Sequence, residues 1–385
     1  MDGKIKLSSR QMDSNTAKSC SVHLTHLRLR DFRNYRRLDV PLNPGCHVIT
    51  GYNAHGKTNF LEAIYTLATL RSFRGVGGAQ MIRESQKGFF VGAAVAGQGT
   101  NELRYYWSSA ARQLSVNRIP VRKLSDYFGL LKVVVFCSED IQLIKGTARI
   151  RRRFLDLLLS QTYPHYLECL QRYTRILRSR NALLKRHNPD PVAMESFTRE
   201  LIKHGNEIMK WRQEMIPRIS PLARLAYRRI SQGAEELKLE YHSSVRKDFM
   251  VELVQSRQRE MSTRTTVVGP HRDDLKLSLD QRPALQFGSE GQKRSIAIAL
   301  KMAQAEYLTG INGVSPILLI DDVMGELDVN RRSGFIPIIK RSEKGQGQVF
   351  MTCTEQNWPS EIGKDINYWS VDQGNLSRST APSKA

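Results

Sequence analysis

The sequence predicts an α/β fold with mixed sheets, interrupted by an α-helical lobe. Three observations carry that prediction. First, Gly51-Tyr-Asn-Ala-His-Gly-Lys-Thr-Asn59 fits G-x-x-x-x-G-K-[ST], between a short apolar strand at His47–Thr50 and apolar residues at helical spacing from Phe60 to Leu70. Second, Ser315-Pro-Ile-Leu-Leu-Ile-Asp-Asp322 is an apolar strand ending in two carboxylates. Third, the stretch between these motifs changes from strand character to long, basic helical patterns after about Ile141.

The loop's chemistry follows from its residue types. Gly51 and Gly56 let the backbone turn tightly, so that N–H groups face phosphate oxygens; the following helix N-terminus adds positive potential. Tyr52, Asn53, Ala54, His55 and Asn59 complete the cradle. Lys57 is placed to reach β- and γ-phosphates, and Thr58 to ligate Mg²⁺. At the second motif, Asp321 is placed to hold the metal's coordination shell and Asp322 to orient the attacking water.

Composition narrows the partner class. Lys and Arg number 59 against 37 Asp and Glu, a formal +22, which favours a polyanion: nucleic acid first, an anionic membrane surface second. Five scattered cysteines without C-x-x-C pairs argue for reduced thiols in a cytosol. No apolar run approaches the ~18 residues of a membrane span. The first 21 residues are polar and lack a signal-peptide core, so a disordered extension is expected there.

Strand patterns run at Val22–Arg30, Leu38–Leu42, Phe89–Ala96, Glu102–Ser108 and Leu130–Phe136, with a hairpin at Gln113–Val121. Residues 22–140 therefore read as one half of a nucleotide-binding head. Residues 141–235 read as a basic helical lobe: a helix over Ala148–Leu159, another opened by Pro164, and a third beyond the Asn188-Pro-Asp-Pro191 turn. Pro217 and Pro221 are expected to interrupt that third helix. Residues 145–229 hold 19 Lys and Arg against 7 Asp and Glu, a net +12. Arg149, Arg151, Arg152, Arg153, Arg175 and Arg178 are the candidate phosphate-backbone contacts, with Arg172 and Arg180 continuing the run. Residues 236–375 return to strands, expected at Leu237–Tyr241 and Met250–Val254, and form the second half of the head. Residues 376–385 are expected to be a frayed tail.

Phe287-Gly-Ser-Glu-Gly-Gln-Lys-Arg294 feeds a near-ideal helix. Ser289, Gly291 and Gln292 at its start match the ABC-type signature: a hydroxyl and open backbone N–H groups aimed at a phosphate. Gly325-Glu-Leu-Asp328 is D-loop-like, and Gln348–Thr354 is a strand ending where a switch residue sits.

These motifs, with Leu29-Arg-Asp-Phe-Arg-Asn-Tyr35, Phe136-x-x-Glu139-Asp140, Arg152-Arg-Phe-Leu-Asp156 and Gly269-Pro-His-Arg-Asp-Asp274, resemble the RecF family of ABC-type ATPases, relatives of the Rad50 and SMC heads. The resemblance spans about residues 22–370. It implies an ATP-binding head split by a helical lobe, slow Mg-ATP hydrolysis used as a switch, and an ATP-dependent homodimer clamping DNA at gaps. It further implies work with RecO and RecR to load RecA, support of the SOS response, and a cytoplasmic location. Ser138 stands where the family places proline, and Glu290 is an unusual signature residue. Gly269–Asp274 is compatible with a place near the nucleotide or at the head–lobe junction. Arg33 and Asn34 are compatible with approach to adenine or with an ordinary turn. A transporter ATPase subunit is disfavoured by the 232 residues from Lys57 to Ser289. A long structural tether is disfavoured by the insert's shortness.

Overall fold

The computed structural model describes residues 22–97, 99–231, 235–343, 347–353 and 366–380. The extension at 1–21 and the end of the tail at 381–385 lie outside the described residues. Strands β1 (His23–Phe32) and β2 (Tyr35–Pro41) form a hairpin whose turn is only Arg33 and Asn34. The polar stretch 31–37 is therefore mostly strand. Leu27 and Leu29 point inward while Arg28 and Arg30 point out, the period-2 alternation of a sheet with one face solvated. After β3 (Gly45–Thr50) and α1 (Lys57–Thr69), four more strands continue the antiparallel sheet: β4 (Gly88–Ala96), β5 (Thr100–Ser108), β6 (Arg112–Val116) and β7 (Ile119–Pro120). Its order is β2-β1-β4-β5-β6-β7.

Strand β8 (Val133–Cys137) is buried along its length, as a strand covered on both faces must be. Short α2 (Gln142–Lys145) leads into α3 (Ala148–Thr162), α4 (Pro164–Leu184) and α5 (Pro191–Ser231). Helix α5 runs 41 residues straight through Pro217 and Pro221, where an interruption was expected. Both prolines are exposed and four residues apart, so the backbone groups they leave unpaired fall on one solvated face. The opposite face buries Met215, Ile219, Ala223 and Ile230, and that packing holds the helix together.

A small sheet follows, from β9 (Leu237–His242), β10 (Asp274–Leu279) and β11 (Arg282–Pro283). Between its strands lie α6 (Phe249–Gln255) and α7 (Arg257–Thr263). Met250–Val254, expected as strand, is thus helix. The Asp248 carboxylate caps it by accepting the Val251 N–H at 2.9 Å, and five apolar-rich residues alone do not distinguish a strand from a short helix. Then come α8 (Ala284–Phe287), α9 (Glu290–Asn312), β12 (Ile317–Asp321), α10 (Val329–Glu343), β13 (Gln348–Thr352), β14 (Ile366–Asp372) and β15 (Asn375–Arg378). The start of the expected frayed tail is therefore ordered: β15 pairs antiparallel with β14.

The central sheet has the order β15-β14-β3-β13-β12-β8. Strands β14, β3, β13, β12 and β8 pair in parallel. One apolar core joins one face of this sheet to α3, α4, α5 and α9; a second joins it to α1 and the antiparallel sheet. Parallel pairing aligns the carboxyl ends of β3, β12 and β13, which is where open α/β sheets place their ligand sites.

Candidate functional site

The loop after β3 needs its glycines. Gly51 has φ +140°, and a Cβ there would stand 2.3 Å from the Val371 carbonyl oxygen. Gly56 has φ +122°, and a Cβ would meet the Asn34 amide at 2.8 Å. Ala54 also takes a left-handed φ of 67°. Helix α1 begins at Lys57 with Gly56 as its cap and no side-chain capping bond. Its first-turn N–H groups are left to face the loop's interior. The Lys57 ammonium is folded into the same space, donating to the carbonyls of Gly51 at 2.5 Å and Tyr52 at 3.2 Å.

Neighbouring elements brace this loop. Asn34 donates to the His55 carbonyl at 2.8 Å and accepts from Asn59 at 2.8 Å, while the Tyr35 hydroxyl donates to the Gly56 carbonyl at 3.1 Å. The His55 ring lies 2.9 Å from Asp372 without the alignment of a hydrogen bond. Arg33 has a different task from approach to adenine. Its guanidinium grips the fully buried Glu62 carboxylate of α1 through two 2.8 Å bonds and donates to the Gln80 carbonyl at 2.7 Å. The β1–β2 turn thus fixes both the loop and its helix.

At the end of β12, Asp321 Oδ1 accepts from the Thr58 hydroxyl at 2.9 Å and from the Thr352 hydroxyl at 2.8 Å. Burial pushes the Asp321 carboxyl above the ordinary range, opposed by these two hydrogen bonds. Asp322 is exposed and takes a left-handed φ of 54°, and its N–H donates to Thr352 Oγ1 at 3.1 Å. One threonine therefore fixes both acidic positions. Thr352 was not singled out by motif, although its place at the end of the strand beside β12 is the signal that marks it. Thr354, where the sequence places the switch, lies outside the described residues.

Ser289 caps α9: its hydroxyl accepts the Gln292 N–H at 3.2 Å, and the Gln292 side chain accepts the Ser289 N–H at 2.6 Å. This is a capping box. Gln292 is anchored further by donating to Glu235 at 2.5 Å. Gly291 carries no side chain because a Cβ would lie 2.4 Å from the Arg331 guanidinium. Arg331 in turn donates to Ser295 at 2.9 Å and to Asp328 at 2.5 Å, tying the D-loop-like turn to the signature helix. Lys145 sits 2.6 Å from Glu290 and holds that exposed carboxyl below its usual range. The unusual acid is thereby countered within the chain.

The basic lobe divides into two groups. Arg151 pairs with Asp274 through bonds of 2.7 and 3.0 Å. Arg152 donates to the Asp273 carbonyl at 2.5 Å, and Arg153 to the Ser72 carbonyl at 3.1 Å. Arg180 is buried against Glu260. These four hold the fold, so the earlier expectation that Arg151, Arg152 and Arg153 face a nucleic acid finds them facing the chain itself. Arg149, Arg172, Arg175 and Arg178 are exposed; the last three recur every third residue on α4, along one side of the helix.

Gly269–Asp274 lies at the head–lobe junction. His271 contacts the Tyr173 hydroxyl of α4 at 2.6 Å, Asp273 accepts the Ser244 N–H at 2.7 Å, and the Pro270 carbonyl accepts from Arg212 of α5 at 2.7 Å. The four described cysteines are buried. Among the described residues no helix is long and apolar enough to cross a membrane.

Fold and site together define an ABC-type ATPase head carrying a helical insert. The model of the RecF/RecN/SMC N terminal domain matches residues 23–376. The DNA replication and repair protein RecF of Halalkalibacterium halodurans is 37% identical over 374 residues, covering 93% of this chain and all of that protein. RecF of Streptococcus equi subsp. equi is 35% identical over 365 residues, covering 92% and 98% of the two chains. A solved recombination mediator protein RecF-ATP in the RecFOR pathway superposes with a TM-score of 0.85 at 28% identity, covering 94% of this chain and 98% of that one. The chain belongs to the RecF family of DNA replication and repair proteins.

Proposed function

We propose that this chain binds Mg-ATP between two copies of itself, that the closed dimer clamps DNA, and that slow hydrolysis reopens it. The carrying observation is the meeting of Thr58 and Asp321 at 2.9 Å, although 263 residues apart, beside an open glycine cradle. A hydroxyl and a carboxylate oxygen so placed are the hard donors that Mg²⁺ takes, usually alongside waters and phosphate oxygens. Bound there, the ion would neutralise charge on the transferring phosphoryl group. The chain's own groups do the rest: Lys57 turns from its carbonyl partners toward phosphate oxygens, and Asp322 orients the attacking water. Thr352 holds Asp321 and Asp322 in register. Ser289, Gly291 and Gln292 present a second phosphate-directed helix end, to be used by the nucleotide of the opposite protomer.

DNA is met by Arg149, Arg172, Arg175 and Arg178 on the lobe, a phosphate-backbone contact that weakens with salt. The RecF likeness supports a cytoplasmic role at gapped DNA with RecR and RecO, which help load RecA and sustain SOS induction. Against a long tether stand the insert's two main helices of 21 and 41 residues, since α5 spans only about 60 Å.

Sedimentation with and without ATP, on gapped, duplex and single-stranded DNA at two salt concentrations, tests the proposal. The expected result is an ATP-dependent dimer with longer DNA retention; unchanged mass and retention would reject it. Lys57→Met is expected to lose the ATP response while keeping salt-sensitive DNA contact. Asp322→Asn is expected to trap the ATP dimer, and faster turnover in that variant would remove Asp322 from the water-orienting role. Gly51→Ala, strained in φ and pressed on the Val371 carbonyl, is expected to weaken nucleotide binding by roughly tenfold or more. Calorimetric titration with a non-hydrolysable ATP analogue reads that loss.

A further inference from the structure

At the far end of the helical lobe, the turn between α4 and α5 meets α6 and α7 around a cleft of about 210 Å³. Its floor is apolar: Leu184, Met194 and Leu253 are buried there. Its walls expose large apolar side chains, Val254 at 61%, Met261 at 43% and Met250 at 36%. Such a concentration of exposed apolar groups marks an interaction site more often than a solvated surface does. Three of the side chains are methionines, which adapt their shape to a partner.

The cleft is preformed. Beneath it Arg180 of α4 and Glu260 of α7 make two bonds of 3.0 and 2.6 Å, and Arg180 also bonds Thr198 of α5 at 3.1 Å. The walls therefore do not need ordering when a partner arrives, which lowers the cost of binding.

Charge selects the partner. Arg257 lines the cleft, and Lys185 and Arg186 follow its lining residue Leu184 in the α4–α5 turn; all three are exposed, and among the described residues none of them is ion-paired. Of the nearby carboxylates, Glu195 is paired with Arg199 at 3.0 Å and Glu260 with Arg180, while Asp190 accepts the Val192 N–H at 2.9 Å and Glu252 the N–H groups of Arg246 and Lys247. An apolar floor with a rim that is basic only on balance offers little to a phosphate backbone, which needs donors along the floor as well. The chain's own first 21 residues are a poor match, with four Lys and Arg against two Asp.

We propose that this cleft is a docking site for a partner protein, which it takes by an acidic amphipathic helix with apolar side chains at i, i+3 or i+4, and i+7. This is the helix-in-groove mode, with carboxylates meeting the rim. The site is separate from the nucleotide loop and from the exposed arginines of α4.

The test uses the full-length chain and three fluorescein-labelled peptides about 15 residues long. One carries Leu at those spacings with Glu elsewhere, one carries the same Leu pattern with Lys, and one carries the Glu composition with the Leu positions scrambled. Fluorescence anisotropy is expected to show saturable binding of the first peptide alone. Val254→Asp and, separately, Arg257→Glu are each expected to weaken it roughly tenfold, and Arg257→Glu is expected to improve the Lys peptide. Both positions are exposed, and unchanged thermal melting and ATP-analogue binding verify that each variant is folded. Binding that survives both substitutions, equal binding of the Lys or scrambled peptide, or absence of binding overturns the proposal. Displacement of the Glu peptide by a short DNA duplex would assign the cleft to DNA instead, and self-association abolished by Val254→Asp would assign it to a second copy.

Discussion

Glu260→Ala lowers the folding stability by about 3–5 kcal/mol, because it leaves the Arg180 guanidinium charged, buried and without its counter-ion. Arg180 is 4% exposed and Glu260 1%. The guanidinium donates to Glu260 at 3.0 and 2.6 Å, to Thr198 at 3.1 Å and to Thr266 at 2.7 Å. In the variant Arg180 keeps only the hydroxyls of Thr198 and Thr266, which are neutral, so most of its desolvation cost is left uncompensated. Denaturant unfolding followed by tryptophan fluorescence measures the loss; a change below about 1 kcal/mol would mean that the charge finds solvent by local opening. The double variant Arg180→Met with Glu260→Leu is expected to recover most of the stability, since apolar pairs of similar volume often replace buried ion pairs without loss. Because the same pair underlies the distal cleft, Glu260→Ala also loosens the wall formed by α7.

The same arginine shows where sequence reading stops. On the sequence, Arg180 breaks an otherwise apolar helical stripe and extends a basic run, so it reads as one more surface cation. Its partner Glu260 stands 80 residues away on α7, a helix that no sequence pattern announced. Nothing in local periodicity pairs the two. Arg151, Arg152 and Arg153 follow suit: composition registers their charge, but only packing reveals Asp274, the Asp273 carbonyl and the Ser72 carbonyl as their partners. The loop from Gly51 to Asn59, the Asp321–Asp322 pair and the Ser289 cap were legible for the opposite reason. Each is a contiguous pattern whose chemistry is fixed by neighbours within a few residues, and the strand or helix it needs is written beside it. Thr352 and Asn34 fall between these cases. Each lies at a strand end next to the site, yet a lone polar residue there has no distinguishing spacing. Helix α5 was misjudged at Pro217 and Pro221 because proline's cost is local, while the buried face that outweighs it extends over the whole helix.

Acidification from pH 6.5 to 4 is expected to remove about 6 kcal/mol of stability through two histidines, His47 and His271. Burial pushes each ring down to about 4 from an ordinary 6.5. The hydrogen bonds agree with a neutral ring at both positions. His47 Nδ1 accepts from the Trp369 indole at 3.0 Å, so its proton sits on Nε2 and is donated to the Asn43 carbonyl at 2.7 Å. His271 lies 3.0 Å from the Thr266 carbonyl through Nε2, which must donate, leaving Nδ1 to accept from Tyr173 at 2.6 Å. A second proton on His47 would face the Trp369 indole N–H, which can only donate, and one on His271 would stand in the field of Arg152, Arg180 and Arg272. The sign follows directly. Below pH 6.5 the unfolded chain binds protons that the folded chain refuses, so stability falls as pH drops and levels off near pH 4, where the folded rings titrate. Each histidine contributes about 3 kcal/mol across that window. Asp140 and Asp321, whose carboxyls burial pushes upward, act in the opposite sense and flatten the total curve. The decisive quantity is therefore the difference between wild type and His47→Gln, measured as unfolding free energy at pH 7.5, 6.0 and 4.5. The variant is expected to start lower, having lost its stacking on Phe350, and to fall less steeply. Parallel curves for the two proteins would show that His47 is protonated in the folded chain as readily as in the unfolded one.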